Sequence, residues 1–344
     1  MKRIEAVNTV LRQAKSAAGL AEDDIIVLSG DQGLGYAPTN IALCKYWGKR
    51  DTELNLPVTP SLSVSLPDKG AFTSIQFIDR VQDTVTLNGD ALPWESPFVK
   101  RVVQYLDLFR QRQAWRLAID IKMNLPVAAG LASSACGFAS LVSAMNDLMD
   151  WNLTTKQLSI LARLGSGSAA RSLWSGFVEW HEGMQPDGMD SFAEPLTAEW
   201  PGLCIGILNI SAAEKPVSSR DAMLRTVNSS ALYQSWPNKV THDLILLKQA
   251  IKTQNFSLLG GTAESNALAM HATMMSAWPP IVYSLPETLG CMMQVWEARR
   301  SGLELYFTQD AGPNLKLIFM ESSLAQVQGL FPEVEVISLF PKEV

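Results

Sequence analysis

The stretch Pro126 to Phe138, Pro-Val-Ala-Ala-Gly-Leu-Ala-Ser-Ser-Ala-Cys-Gly-Phe, joins two segments of different periodicity and so restricts the folds open to this chain. Before it, Leu117, Ile119, Ile121 and Met123 alternate with Ala118, Asp120, Lys122 and Asn124, the pattern of a strand with one buried face. After it, Phe138, Leu141, Val142, Met145, Leu148 and Met149 recur at helical spacing. A strand, a turn of small residues and a helix bring the helix's first unpaired N–H groups and its positive dipole end to the turn. Gly130 can take backbone angles closed to other residues, and Ser133 and Ser134 stand where the helix begins. Such a turn attracts a phosphate. The same small residues would also serve close strand–helix packing, and neither the Walker nor the Rossmann spacing is present to decide between the two.

At 344 residues the chain is long enough for two domains with a substantial core, and 47% hydrophobic with 18% charged residues is the balance of a globular protein. A net charge of -6 argues against a surface built to coat nucleic acid, so a bound phosphate must be held by a few local cations. Cys44, Cys136, Cys204 and Cys291 are scattered, as are His181, His242 and His271, and no zinc-type spacing occurs. Unpaired thiols, a leading segment without a signal-peptide core and no membrane-spanning apolar run lead to the expectation of a soluble, cytoplasmic protein without a membrane partner.

Along the chain, Ile4, Val7, Leu11 and Ala14 predict an amphipathic helix over 2–18, and Ile25 to Leu28 a strand. Tyr36 to Asp51 packs Lys45, Lys49, Arg50, Tyr46, Trp47 and Asn40 together, which suits a polyanion with an apolar body. On a helical turn the amines of Lys45 and Lys49 would share one face. Leu62, Val64 and Leu66 predict a strand, Thr73 to Ile78 and Thr84 to Leu87 a further strand pair, and Asn88-Gly89 a turn. Phe98 to Phe109 and Thr154 to Leu164 are helical, with Arg101 on the polar side of the first. Gly165 to Leu173 offers Ser166, Ser168 and Arg171 as hydroxyl donors and a guanidinium fork, a site loop rather than a linker. The polar connector Glu182 to Asp190 marks a domain boundary. Beyond it a strand at 203–210, helices at 244–251, 256–275 and 289–300, strands at 303–307 and 315–320, a helix at 324–330 and a last strand at 334–339 make an α+β sandwich pattern. Asp310 sits on a turn before Gly312-Pro313, either as a turn-former or as a carboxylate held over a site.

Four blocks then share one explanation. Pro126 to Ala135 has the form Pro-x-x-x-Gly-Leu-(Gly/Ala)-Ser-Ser-Ala; Ala37 to Arg50 fits Ala-Pro-x-Asn-Ile-Ala-x-x-Lys-Tyr-Trp-Gly-Lys-Arg; Ser166 to Ser172 and Asp310-Ala311-Gly312-Pro313-Asn314 complete the set in order. Together they resemble the mevalonate diphosphate decarboxylases, a branch of the GHMP small-molecule kinase superfamily, from about Tyr36 to near the C-terminus.

The resemblance implies a GHMP kinase fold of the α+β class. It comprises an N-terminal extension (1–30), a ribosomal protein S5 domain 2-like ATP-binding domain (31–190) and a ferredoxin-like α/β sandwich (191–344), with the site in the cleft between the two domains. It implies ATP-dependent decarboxylation of mevalonate 5-diphosphate to isopentenyl diphosphate, with ATP and Mg²⁺ required and a homodimer as the assembly. Asp310 would meet the C3 hydroxyl as base or orienting group, with Lys45 beside it and Arg171 on the substrate carboxylate. Asn40, Tyr46, Lys49, Arg101, Ser166, Ser168, Ser219 and Arg220 would line the rest of the substrate. Gly130, Leu131, Ala132, Ser133 and Ser134 would take the ATP phosphates, and Ser134 the metal. Two departures stand out: Thr59-Pro60-Ser61 replaces an Asn-Ser-Ser, removing an amide, and the segment before His271-Ala272-Thr273 is longer than in some relatives. His271 is expected to be structural. Rival readings are a mevalonate 5-phosphate decarboxylase and a mevalonate 3-kinase of the same fold. A non-catalytic nucleotide-binding protein would have lost Asp310 or the phosphate loop, and neither is lost.

Overall fold

The computed structural model describes residues 1–19, 31–110, 114–124, 133–213 and 215–340. The expected strand at 25–28 and the loop residues Gly130, Leu131 and Ala132 lie outside the described residues, as does the side chain of Ser133.

The first half of the chain opens with α1 (Lys2–Ala17), β1 (Gly33–Cys44), the hairpin β2 (Lys49–Asp51) and β3 (Leu56–Pro57), and the long β4 (Ser61–Ile78). It continues through β5 (Thr84–Leu87), β6 (Asp90–Ala91), α2 (Pro97–Arg110), β7 (Arg116–Met123), α3 (Ser133–Leu148) and α4 (Thr155–Gly165). A 3₁₀ turn (Gly167–Arg171), β8 (Phe177–Trp180) and β9 (Ala193–Pro195) close it. β4 is the spine of a seven-stranded sheet: β1 pairs along one edge, and β7 and β8 share the other. The alternation read over 117–124 is β7, whose Leu117, Ile119 and Ile121 are buried. α3 covers β1 and β4 at close range, since a Cβ on Gly33 or Gly35 would lie 2.3 Å and 2.2 Å from the α3 carbonyls of Ala144 and Ser140.

The second half runs β10 (Leu203–Leu208), α5 (Ser219–Ser229), α6 (Trp236–Thr253), α7 (Phe256–Met275), α8 (Pro286–Arg300), β11 (Tyr306–Gln309), β12 (Leu315–Met320), α9 (Leu324–Leu330) and β13 (Glu335–Ser338). Its sheet, in the order β11-β12-β10-β13, is antiparallel throughout. α7 packs on β11 and on β1, so that one hydrophobic core runs from Val7 through Ile41 and Leu62 to Leu247 and Ile318.

Several local expectations change. Residues 61–78 form one strand, because the apparent break at Asp68 is a single left-handed residue (φ 58) beside Gly70, which packs on the Ala37 carbonyl. β5 pairs with β7 in parallel and not with β4, which lies one strand further on. Lys45 and Lys49 occupy no helical turn: the chain leaves β1 after Cys44, turns at Gly48 (φ 111) and enters β2, so the two amines part company. α1 buries Ala6, Val7 and Val10, while Ile4 faces out at 40% exposure; its inner face is turned from the one the larger side chains suggested. α5 was not anticipated, since its face is polar and only its N-cap, Ser218 accepting from the Asp221 amide, announces it.

Candidate active site

A cleft of about 950 Å³ opens between the two halves. It is lined by Lys45 and Tyr46 from the segment after β1, Lys49 at the start of β2, Ser166 as the N-cap of the 3₁₀ turn with Ser168 and Arg171 within it, and Asp310 from the β11–β12 turn. Arg101 on α2, Ser134 on the first turn of α3, and Ser219 and Arg220 at the start of α5 complete the wall.

The segment 45–48 is held from both sides. The Lys45 amide donates to Asn266 Oδ1 of α7 at 2.8 Å, and the Trp47 carbonyl accepts from Tyr233 Oη and Trp236 Nε1, both at 3.0 Å. Gly48 is required there twice over, by its positive φ and because a Cβ would fall 1.7 Å from the Tyr233 hydroxyl.

At one end of the cleft stands Asp310. Its Oδ1 accepts from Lys45 Nζ at 2.8 Å, and its Oδ2 lies 3.2 Å from Lys316 Nζ. The lysines are 2% and 1% exposed, whereas the carboxylate keeps 24% of its side chain open. Burial alone would raise the carboxyl's pKa, but the two ammonium groups outweigh it and hold Asp310 well below the usual carboxylate range. Burial lowers Lys45, against the pull of Asp310. The turn is fixed around its carboxylate: Gln309 Nε2 donates to the Gly312 carbonyl, Thr288 Oγ1 to that of Pro313, and Asn314 Oδ1 accepts from the amides of Ile210 and Ser211. His271 lies beneath, its Nε2 3.1 Å from the Asp310 carbonyl oxygen; burial and then Lys45 push it down to about 4, which makes it a neutral support.

Arg171 is 2% exposed and has no carboxylate partner among the described residues. Nε and Nη2 donate to Asn40 Oδ1 at 3.3 and 3.2 Å, and Nη1 to Ser61 Oγ at 2.5 Å. Asn40 is itself set by Ser172 Oγ at 2.7 Å. Asn40 thus meets the cleft mainly as the group that aims Arg171, and the Ser61 of the departing Thr-Pro-Ser segment is its second anchor. Burial lowers Arg171 to about 10, against the pull of Asp310, and it remains a cation at neutral pH.

At the other end cations gather without carboxylates of their own. Lys49 Nζ donates to Asn55 Oδ1 at 2.7 Å, and burial, then Arg220, Arg3 and Arg101, push it down to about 8. Arg101 stacks over Phe138 at 5.3 Å. The Tyr46 hydroxyl is buried and has no hydrogen-bond partner among the described residues, and the side chain lines the cleft. Ser134, Ser166 and Ser168 form a line of hydroxyls, Oγ to Oγ, at 3.4 and 3.5 Å. Among the described residues no group of three or more His, Cys, Asp or Glu could hold a metal ion.

The sequence did not single out Lys215, Lys316 or Arg3. Lys215 lines the cleft near Asp310 from the segment before α5, where between Glu214 and Pro216 it reads as a solvated loop residue. Lys316 had a signal, as a lone cation inside the apolar run Leu315 to Met320.

A cleft with a carboxylate between lysines, a buried arginine fork and a separate cationic end suits a small, multiply anionic ligand. Residues 37–193 match the Diphosphomevalonate decarboxylase-like N-terminal domain, and 205–339 the Mevalonate 5-diphosphate decarboxylase C-terminal domain. The diphosphomevalonate decarboxylase of Aspergillus fumigatus is 36% identical over 316 residues, 85% of this chain and 78% of that one. That of Saccharomyces cerevisiae is 35% identical over 303 residues, 83% and 76%. The crystal structure of mevalonate diphosphate decarboxylase from Staphylococcus aureus superposes with a TM-score of 0.84 at 37% identity, covering 90% of this chain and 96% of its own. MDDEF in complex with MVAPP, AMPPCP and magnesium gives 0.85 at 40% identity, covering 90% and 97%. The chain belongs to the diphosphomevalonate decarboxylase family and has its GHMP kinase fold.

Proposed function

We propose that this chain catalyses the ATP-dependent decarboxylation of mevalonate 5-diphosphate to isopentenyl diphosphate, ADP, phosphate and CO₂. The observation that carries the reading is Asp310, an anion braced by two lysines and open to the cleft, with the buried guanidinium of Arg171, which has no carboxylate partner among the described residues, on the same cleft wall. A tertiary hydroxyl is a poor leaving group, so ATP first phosphorylates it, and positioning with charge neutralisation does most of the work. The C3–O bond then breaks with its electron pair leaving on phosphate. The pair of the bond to the carboxylate carbon becomes the alkene, and CO₂ departs.

In this reading Asp310 orients the C3 hydroxyl and favours the positive charge that develops at C3, while Lys45 sits beside the transferring group. Arg171, aimed by Asn40, grips the substrate carboxylate. Tyr46, Lys49, Arg101, Ser166, Ser168, Ser219 and Arg220 take the diphosphate; three cations and an orphan hydroxyl there suit two phosphates better than the one of mevalonate 5-phosphate. The loop Gly130 to Ser134 takes the ATP phosphates. Ser134 would hold Mg²⁺, since a single hydroxyl at a helix start is the sparse, oxygen-only protein contact this ion accepts, the rest of its shell being left to water and nucleotide. When bound, Mg²⁺ neutralises charge on the phosphates of ATP.

We further propose the division 1–30, a first domain from 31 and a second to 344, with the boundary moved from 190/191 to beyond Pro195 because β9 pairs with β8 in the first sheet and the connector 182–190 is the loop of that hairpin, together with a cytoplasmic location and a homodimer. Four cysteines outside any disulfide suit a reducing compartment, and no described helix is long and apolar enough to cross a membrane. Exposed Trp278, Val282, Leu289 and Met293 offer apolar surface for a second copy. The test of function measures ATP consumption, CO₂ release and alkene formation with mevalonate 5-phosphate and mevalonate 5-diphosphate in parallel. CO₂ and isopentenyl diphosphate from the diphosphate are expected. Phosphorylation without CO₂ would make the enzyme a 3-kinase, and turnover of the monophosphate alone would move it to that substrate.

A further inference from the structure

β12 is the second strand of an antiparallel sheet, and Leu315, Leu317, Ile318 and Phe319 around Lys316 are all buried and apolar. Lys316 pairs across the sheet with Thr308 and Ile207 and is 1% exposed. An ammonium group at such a place loses its hydration and is tolerated only when paired. Its ion-pair partner is Asp310, 3.2 Å away on the oxygen that Lys45 does not use. A sheet position filled for packing alone would take another Leu or Ile, as its neighbours do, so the lysine is there for the carboxylate.

We propose that Lys316 is a positioning residue for Asp310: it occupies the second carboxylate oxygen, so that Asp310 stays an anion of fixed aim while substrate binds and reacts. The proposal rests on the decarboxylase reading above. With one cation on each oxygen, rotation of the carboxylate about its own axis costs an ion pair in either direction. Proton removal from the C3 hydroxyl then gains little from a carboxylate so stabilised, and Asp310 works as orienting group and fixed charge. The charged and titratable groups that face it are Lys45 from the segment after β1, Lys316 on β12, Arg171 on the 3₁₀ turn, Lys215 before α5 and His271 on α7. His271 is neutral above about 4 and so adds no charge beside Asp310 near neutral pH.

The experiment measures kcat and the KM for each substrate at one neutral pH for wild type, Lys316→Met and Lys316→Arg, with thermal midpoints. Lys316→Met, which removes the cation on Oδ2 and leaves Lys45 on Oδ1, is expected to lower kcat by something on the order of tenfold to a hundredfold, with the KM for ATP unchanged. Lys316→Arg, which keeps a charge beside Oδ2, should recover most of that loss. A folded Met variant with the wild-type kcat, a Met variant whose rate falls only in proportion to its folded fraction, or a folded Arg variant as slow as Met overturns the proposal; should the Met variant not fold, Lys316→Gln takes its place in the same comparison. Wild type that releases no CO₂ from mevalonate 5-diphosphate would instead defeat the decarboxylase reading, a separate result.

Discussion

Lys45 and Lys49 stand four residues apart and end in opposite surroundings. Lys45 is 2% exposed, its amide fixed by Asn266 and its ammonium by Asp310 and the Ala42 carbonyl. Lys49 is half-buried, has a neutral amide oxygen as its partner, and shares its end of the cleft with Arg101 and Arg220, while Arg3 acts on it from behind the wall. The first end carries its own counter-ion and is organised before substrate arrives. The second is a charge deficit that a phosphorylated substrate must fill. Damage to the first should therefore fall on kcat, and damage to the second on KM.

The largest effect is expected from Asp310→Asn, which removes the only carboxylate ion-paired to Lys45 or Lys316 among the described residues. Turnover should fall on the order of 10³-fold or more, while nucleotide affinity, read by equilibrium titration, stays near wild type. Near-normal turnover would dissolve the contrast between the two ends. Next, Arg171→Lys keeps the charge but loses the fork set by Asn40 and Ser61, and should cost about a hundredfold in kcat/KM for the acid substrate.

At the other end the signature is a pH dependence. Lys49, pushed down to about 8, loses its proton as pH rises past that value in the free enzyme, and a diphosphate favours the protonated form. The KM for the substrate should then climb by up to about tenfold per pH unit above that point, with kcat little changed. Lys49→Arg, which stays charged, should flatten the climb. The smallest effect belongs to Arg3→Ala. Arg3 lies outside the cleft wall, on α1, where Nε donates to the Glu53 carbonyl of the β2–β3 hairpin and Lys2 pairs with Asp51 at 2.5 Å. Its loss should raise the substrate KM by about two- to fivefold at low salt and less at high salt, where exposed charges are screened.

How much of this was legible in the sequence depends on the range of the signal. Elements carried by local periodicity, such as β7, α3 and α4 with its Thr154–Gln157 capping box, could be read directly. The pairing of β5 with β7 could not, because nothing within residues 84–87 says which strand lies alongside. The common face assigned to Lys45 and Lys49 failed for a similar reason: equal spacing means proximity only if the backbone is helical, and Gly48 turns it elsewhere. The structure brings Asp310, Lys45 and Arg171 to one cleft, yet the aiming of Arg171 by Asn40 depends on a contact across 131 residues of chain, and the second lysine on Asp310 depends on the register of the β11–β12 hairpin, which no local pattern states. α1 was legible as a helix, but its face was set by the depth available against α2 and α4, which favoured Ala6 over the larger Ile4.

The Trp47 carbonyl, shared by Tyr233 and Trp236, has a meaning beyond the geometry of the cleft. The segment that carries Lys45 and Tyr46 belongs to the first half of the chain but is bonded at the Lys45 amide and the Trp47 carbonyl to the second, and the apolar core is continuous across the same seam. Neither half can open locally without releasing the other's part of this joint, so the two should melt as one cooperative unit. A weakening in α6, remote from Asp310, would then be felt first as a smaller fraction of molecules with an assembled cleft, and each molecule that remains folded would turn over at the full rate.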